Sequence, residues 1–334
     1  MKKRYDAALQ RAASCLLASG LAIGVAAPAA AAYPEKPIVV VVPFAPGGST
    51  DQIGRLVAEH FHKDFGVPVI VENRPGAAGT VGSAHVARSA PDGYTLLIGG
   101  SDTVASQFLY ENLPYDPERD LTPIGIVSEF PFLMLVDKRR KLGSVKEYVD
   151  YARQNPQKVS FSSAGMGNST HLAGEVFKKA AGLDSMVHVP YNGSALALTA
   201  VVSGQVDFAF DPAMSSIQLV HGGKADALAV VAGQRLPALP DVPLMSELGY
   251  TEFDQLSPWS WKGLFAPAGT PEETLEKLTT SLAALLSDQG FQKRIEDTAS
   301  LVVPPQSRTQ AQEFLTRQRA GWGDLIRATG VEPQ

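Results

Sequence analysis

Cysteine is almost absent from this chain of 334 residues: the single Cys15 stands near the amino terminus, and nothing after it can form a disulfide. A fold of this length must therefore hold through its hydrophobic core alone, even in an oxidising compartment. Long apolar runs are missing too. The longest, Leu16 to Ala27, is too short to span a bilayer, and it follows Lys2, Lys3, Arg4 and Arg11 and precedes Ala30-Ala31-Ala32. That order is the grammar of a secretory signal peptide with an A-x-A cleavage site, so residues 1–32 are set apart as a leader and residues 33–334 as an exported mature chain. Positive charge is scarce as well. The net charge is −5, and the leader removes four cations with one acid, Asp6, which leaves a mature chain more acidic still and a poor partner for nucleic acid.

Other absences narrow the chemistry. No G-x-x-x-x-G-K-[ST] occurs, and Gly165-Met166-Gly167-Asn168-Ser169-Thr170 ends in Thr where a dinucleotide fingerprint wants Gly, so a nucleotide cofactor is not expected. No G-x-S-x-G elbow is present. Ser49 with Asp51, and Ser169 with His171, are the candidates for nucleophilic catalysis, but they sit where helix caps are expected. His60 and His62 point to different sides of a helix, and no H-x-x-x-H or cysteine pair supports a metal. Lys138-Arg139-Arg140-Lys141 is a docking patch or, more simply, a solvated turn. Trp259 and Trp261 share a strand face and could stack on a planar ligand, or they could pack where the chain crosses between lobes.

What is present repeats one pattern. Val39-Val40-Val41-Val42 reads as a buried strand, Pro43-Phe44-Ala45-Pro46-Gly47-Gly48 breaks it, and Ile53, Leu56, Val57, His60 and Phe61 then follow helical spacing with Ser49, Thr50 and Asp51 as cap residues. A helix start of this kind offers unpaired amides and partial positive charge to a carboxylate or phosphate. The pattern recurs at Val67 to Asn73, at Thr95 to Asp102, at Val159 to His171, at Val187 to Ala195 and at Val206 to Pro212. Strands alternating with helices predict an α/β fold with parallel sheets and ligand sites beyond the strand ends. The extended stretch from Ile124 to Val136, interrupted at Glu129-Phe130-Pro131, predicts a first crossing between lobes, and Trp259 to Phe265 predicts a return. The expected division is 33–127 with 260–334 in lobe 1, and 128–259 in lobe 2. Loops from both halves then converge on a cleft where amide N–H groups and Ser/Thr hydroxyls hold a small anion.

Several stretches carry a resemblance. They are Tyr33-Pro34-Glu35-Lys36-Pro37-Ile38, Pro43 to Asp51, Glu72-Asn73-Arg74-Pro75-Gly76-Ala77-Ala78-Gly79, Pro91-Asp92-Gly93-Tyr94-Thr95-Leu96 and Leu113-Pro114-Tyr115-Asp116-Pro117. Val189 to Ser194, Gly204-Gln205-Val206-Asp207 and Gly263 to Pro271 complete the set. In this order the chain resembles the Bug-type periplasmic solute receptors of tripartite tricarboxylate transporters. The resemblance implies a two-lobed periplasmic-binding-protein fold of the second type, each lobe a mostly parallel sheet flanked by helices, with two crossing strands. It implies a monomer without enzymatic activity, metal or cofactor that binds a small organic acid and delivers it to a membrane permease. The first-lobe contacts it implies are Phe44, Ala45, Gly47, Gly48 and Ser49, with Ser101 or Asp102 at the distal end. From the second lobe it implies Ala164, Gly165, Ser169, Thr170, His171, Asn192, Gly193 and Asp211. Two other readings remain: a ligand-presenting partner of a membrane sensor kinase, and an exported hydrolase using Ser49 or Ser169.

Overall fold

The computed structural model describes residues 33–254 and 258–333, so the expected leader lies outside the described residues. From Lys36 onward the chain forms one compact unit built on two sheets.

The first sheet begins with β1 (Ile38–Val42), in which Ile38, Val40, Val41 and Val42 are fully buried. Burial on both faces suits an unbroken β-branched run, and each such valine adds roughly 1.5–3 kcal/mol of burial free energy. α1 (Ser49–Phe65) returns the chain to β2 (Val69–Asn73), which pairs parallel with β1. α2 (Thr80–Ala87) leads to β3 (Thr95–Gly100), parallel on the other side of β1, and then to the short α3 (Ser101–Ala105). β4 (Leu121–Phe130) stays in this sheet as far as Phe130, and the chain crosses at Pro131 into β5 (Phe132–Asp137) of the second sheet.

The second sheet comprises β5, β6 (Ser160–Ser163), β7 (Val187–Pro190), β8 (Phe208–Pro212) and β9 (Ala225–Val231) in the order β7-β6-β8-β5-β9. Its helices are α4 (Val145–Gln154), α5 (Ser169–Ala180), α6 (Ser194–Val202) and α7 (Ala213–His221). The chain returns through β10 (Ser260–Pro267), runs along α8 (Glu272–Ser287) and α9 (Gln289–Glu296), adds the two-residue β11 (Leu301–Val302) and ends in α10 (Arg308–Thr329). The first sheet has the order β11-β4-β10-β3-β1-β2.

Both sheets are mixed with one direction predominating, as the βα alternation predicts: four of the six strands of the first sheet and four of the five of the second run the same way. β10 enters between β3 and β4 antiparallel to both, and β5 lies antiparallel to β8 and β9. The local βα units do pair parallel. The crossing strands are placed by non-local pairing, to which alternating sequence patterns are blind.

Aromatic rings tie the second sheet to the carboxyl-terminal helix. Phe208, Phe210, Phe253, Trp259 and Trp322 follow one another at ring-centre distances of 5.2–5.8 Å. Trp259 Nε1 donates to Phe253 O at 2.7 Å and Trp261 Nε1 to Gln318 Oε1 at 2.9 Å, so both indoles are spent on packing rather than on a ligand. The basic run at 138–141 forms a tight turn in which Arg139 pairs with Asp137 and Arg140 with Asp207.

Candidate ligand-binding site

A small cavity lies where loops from the two sheets meet. It is lined by Phe44, Gly48, Ser49 and Thr50 from the β1–α1 turn, by Ser260 and Lys262 from β10, and by Ala164, Asn168, Ser169, Thr170, Ser194 and Pro212 from the second sheet. Three helices, α1, α5 and α6, therefore start at its wall, each with partial positive charge directed at it.

The β1–α1 turn is held from behind. Asp51 accepts from Gly47 N at 3.0 Å, from Arg55 Nε at 2.9 Å and from Asn73 Nδ2 at 3.0 Å, while the same Asn73 Nδ2 donates to Phe44 O at 3.0 Å. Burial pushes the Asp51 carboxyl up, but the bonds from Arg55, Asn73 and the Gly47 amide outweigh it and hold the group below the ordinary carboxylate range. Asp51 is thus a brace and not a ligand contact. The cap residue of α1 is Gly48, and no side chain accepts from the first turn. α6 begins in the same way behind Gly193, whose φ of 120° demands glycine and which lies in ordinary contact with Ala45.

The start of α5 is different. Asn168 Oδ1 accepts from Thr170 N at 2.9 Å, and Thr170 Oγ1 donates to the same oxygen. Asp102, reaching over from α3, accepts at Oδ1 from Asn168 Nδ2 at 2.7 Å, Ser169 N at 3.2 Å and Ser169 Oγ at 3.1 Å. Its Oδ2 accepts from Lys262 Nζ at 2.9 Å, and both side chains of this pair are only 4% exposed. Lys262 can lie here because residue 100 is glycine: a Cβ there would stand 2.8 Å from Lys262 Nζ and 2.4 Å from Trp261 O.

Of the residues expected at the site, Phe44, Gly48, Ser49, Ala164, Ser169 and Thr170 line the cavity, and Asp102 reaches its edge through Lys262 and Ser169. Ala45 and Gly193 pack on one another where the halves meet, Gly47 lies against Ala195, and Gly165 lies against Ala78. His171 is elsewhere. Its Nδ1 accepts from Gly167 N at 3.0 Å and its ring stacks on His188 at 4.0 Å, which steadies the loop from beneath. Burial and the neighbouring His171 push His188 down to about 3, so that ring stays neutral in this stack. Asn192 is exposed and Ser101 is buried outside the lining. Asp211 is buried under the cavity with the hydroxyls of Ser215 and Ser194, and burial pushes its carboxyl up to about 7.

Thr50, Asn168, Ser194, Pro212, Ser260 and Lys262 line the cavity without having been expected as ligand contacts. Lys262 left a usable signal, a lone cation between Trp261 and Gly263-Leu264-Phe265 in a strand otherwise read as core. A buried lysine requires a partner.

A larger cavity, about 410 Å³, lies beside the crossover at Pro131 and is lined by Glu129, Phe130, Val231, Trp259 and neighbours. Its described lining holds the carboxyls of Glu129 and Asp254 and no Lys or Arg, so no cationic side chain there would pair with an anion. No group of His, Cys, Asp and Glu among the described residues could hold a metal ion.

Residues 53–331 match the family described as tripartite tricarboxylate transporter family receptor. The chain belongs to that family. Among solved structures similar to this chain, the periplasmic binding protein BugD is 36% identical with a TM-score of 0.85, covering 90% of this chain and 100% of BugD. A Rhodopseudomonas palustris protein solved with adipate is 30% identical with a TM-score of 0.84, over 90% of this chain and 100% of that one. MatC from the same organism, solved with bound malate, is 32% identical with a TM-score of 0.82, over 88% and 100%. These three solved proteins share this fold, and no helix among the described residues is long and apolar enough to cross a membrane.

Proposed function

We propose that this chain is a periplasmic receptor, exported by its leader, that captures a small organic acid between its two sheets and hands it to a tripartite tricarboxylate-type permease. The observation that carries this reading is the convergence of three helix starts on one cavity, two of them behind glycine caps with no side-chain acceptor. Such a wall favours a carboxylate through amides, Ser/Thr hydroxyls and dipoles. The relatives solved with adipate and malate support the same ligand class.

The cavity measures only about 20 Å³, room for roughly one water. An organic acid therefore enters when the loops separate, with the first sheet and its helices moving as one lobe and the second sheet and its helices as the other about the crossing strands. Reversible binding without turnover fits the serines. Ser169 Oγ donates to Asp102, and the Nδ1 of His171 is already occupied by Gly167 N, so neither provides a nucleophile with its base.

Thermal unfolding of the mature chain against a panel of organic acids tests the reading. A bound acid at 100 times its dissociation constant raises stability by about 2.7 kcal/mol. No shift with any acid, or consumption of an ester by the protein, would sink it.

A further inference from the structure

Lys262 and Ser260 stand two residues apart on β10 and so face the same way, into the cavity. The Ser260 hydroxyl is 1% exposed and has no hydrogen-bond partner. A buried hydroxyl without a partner costs stability, which is tolerated where a ligand completes it. Lys262 has three N–H donors, and among the described residues the one hydrogen bond its ammonium makes is to Asp102. Asp102 already accepts four hydrogen bonds, three at Oδ1 and the ammonium at Oδ2, which leaves its carboxylate little capacity for a ligand N–H or O–H. The pair is electrically neutral as a unit, so β10 offers the ligand hydrogen-bond donors but no uncompensated positive charge.

Resting on the carboxylate reading above, we propose that Lys262, neutralised by Asp102 and assisted by Ser260, selects the far end of the ligand. It takes a monocarboxylate that carries a second, uncharged oxygen, a hydroxy or oxo acid. The acid group goes to the glycine-capped starts of α1 and α6, because the seat at α5 is already filled by Asp102. The hydroxyl or carbonyl oxygen of the ligand accepts from Lys262 Nζ, and Ser260 Oγ gains its missing partner. A second carboxylate would bring an unmatched negative charge next to Asp102, in a space with little water to screen it.

Two sets of acids of matched length test this by calorimetry on the mature chain: butyrate, its terminal-hydroxy derivative and succinate, then hexanoate, its terminal-hydroxy derivative and adipate. In the wild type the hydroxy acid of at least one set binds about tenfold or more tighter than both companions, the difference expected of one hydrogen bond to a charged group. Lys262→Met removes the advantage over the unsubstituted acid. Asp102→Asn leaves the ammonium uncompensated and turns the preference toward the dicarboxylate. Either single change strands a buried charge and can weaken folding, so the double variant Asp102→Asn with Lys262→Met is the control: it keeps the site neutral and must bind without distinguishing the three ends. A wild type that prefers the dicarboxylate in both sets, or a preference that Asp102→Asn does not move, overturns the assignment. Failure of all six acids to bind the wild type instead defeats the carboxylate reading, and this inference with it.

Discussion

The starts of α1 and α5 grow from the same local grammar, a strand that ends in small residues and turns into a helix, yet they end in opposite conditions. At α5 the protein supplies its own acceptors: Asn168 caps Thr170, and the Asp102 carboxylate reaches across from the other sheet to Ser169. At α1 the cap is Gly48, the bracing carboxylate of Asp51 is turned away to Gly47, Arg55 and Asn73, and the first turn faces the cavity without a side-chain acceptor. One helix start is closed by the chain's own side chains and the other is not; on the proposed function the open one seats the acid. The same type of motif can therefore be a structural joint or a binding seat, and which it is depends on whether a distant carboxylate arrives.

That contrast can be attacked in order of expected effect. The largest concerns Asp211, which lies beneath Ser194 on the open side. Its folded-state value, about 7 against 3.8, means that the native state holds a proton the unfolded chain releases. Stability from this group is therefore fully present below about pH 4 and declines as pH rises to about 7, by up to on the order of 4 kcal/mol. Urea titrations across that window should show the decline, and Asp211→Asn should flatten it. Asp51 runs the other way, since its lowered value gives stability above its ordinary titration range that is lost on acidification.

Next, Asp51→Ala strips the acceptor from Gly47, Arg55 and Asn73 and should cost about 2–3 kcal/mol in chemical denaturation, with ligand affinity falling as the turn loses its shape. Asn168→Ala opens the closed helix start and should cost about 1–2 kcal/mol, measurable the same way. The smallest effect on stability is the most informative. Gly48→Asp places an acceptor at the open start, where the extended backbone accepts a side chain and a Cβ would meet Ser194 Cβ at an ordinary 3.6 Å. Stability should change by only a few tenths of a kcal/mol, while carboxylate binding drops more than about tenfold, because the chain now fills its own seat. Unchanged binding in this variant would show that α1 is not where the acid sits.

Much of the strand–loop–helix grammar was legible because it is local: β-branched runs, glycine and proline breaks and cap residues all act within a few positions. Phe44, Gly48, Ser49, Ala164, Ser169 and Thr170 stand in those local breaks, and the family resemblance is what named them as contacts. Lys262 and Ser260 could not be read locally, since their place depends on β10 pairing antiparallel between β3 and β4, a register set by contacts far apart in sequence. His171 misled for the converse reason. It stands within the loop that forms the wall, but its ring points toward His188 below rather than toward the space above. Proximity in sequence to a site gives no direction.

The surfaces that come together at Ala45 and Gly193, and at Gly165 and Ala78, are largely bare main chain. Under the proposed function, closure geometry is thereby separated from ligand choice: substitutions at 260 and 262 would retune which acid is held while the seam between the halves keeps its shape. A lineage of such receptors can drift from one nutrient to another without relearning how to shut.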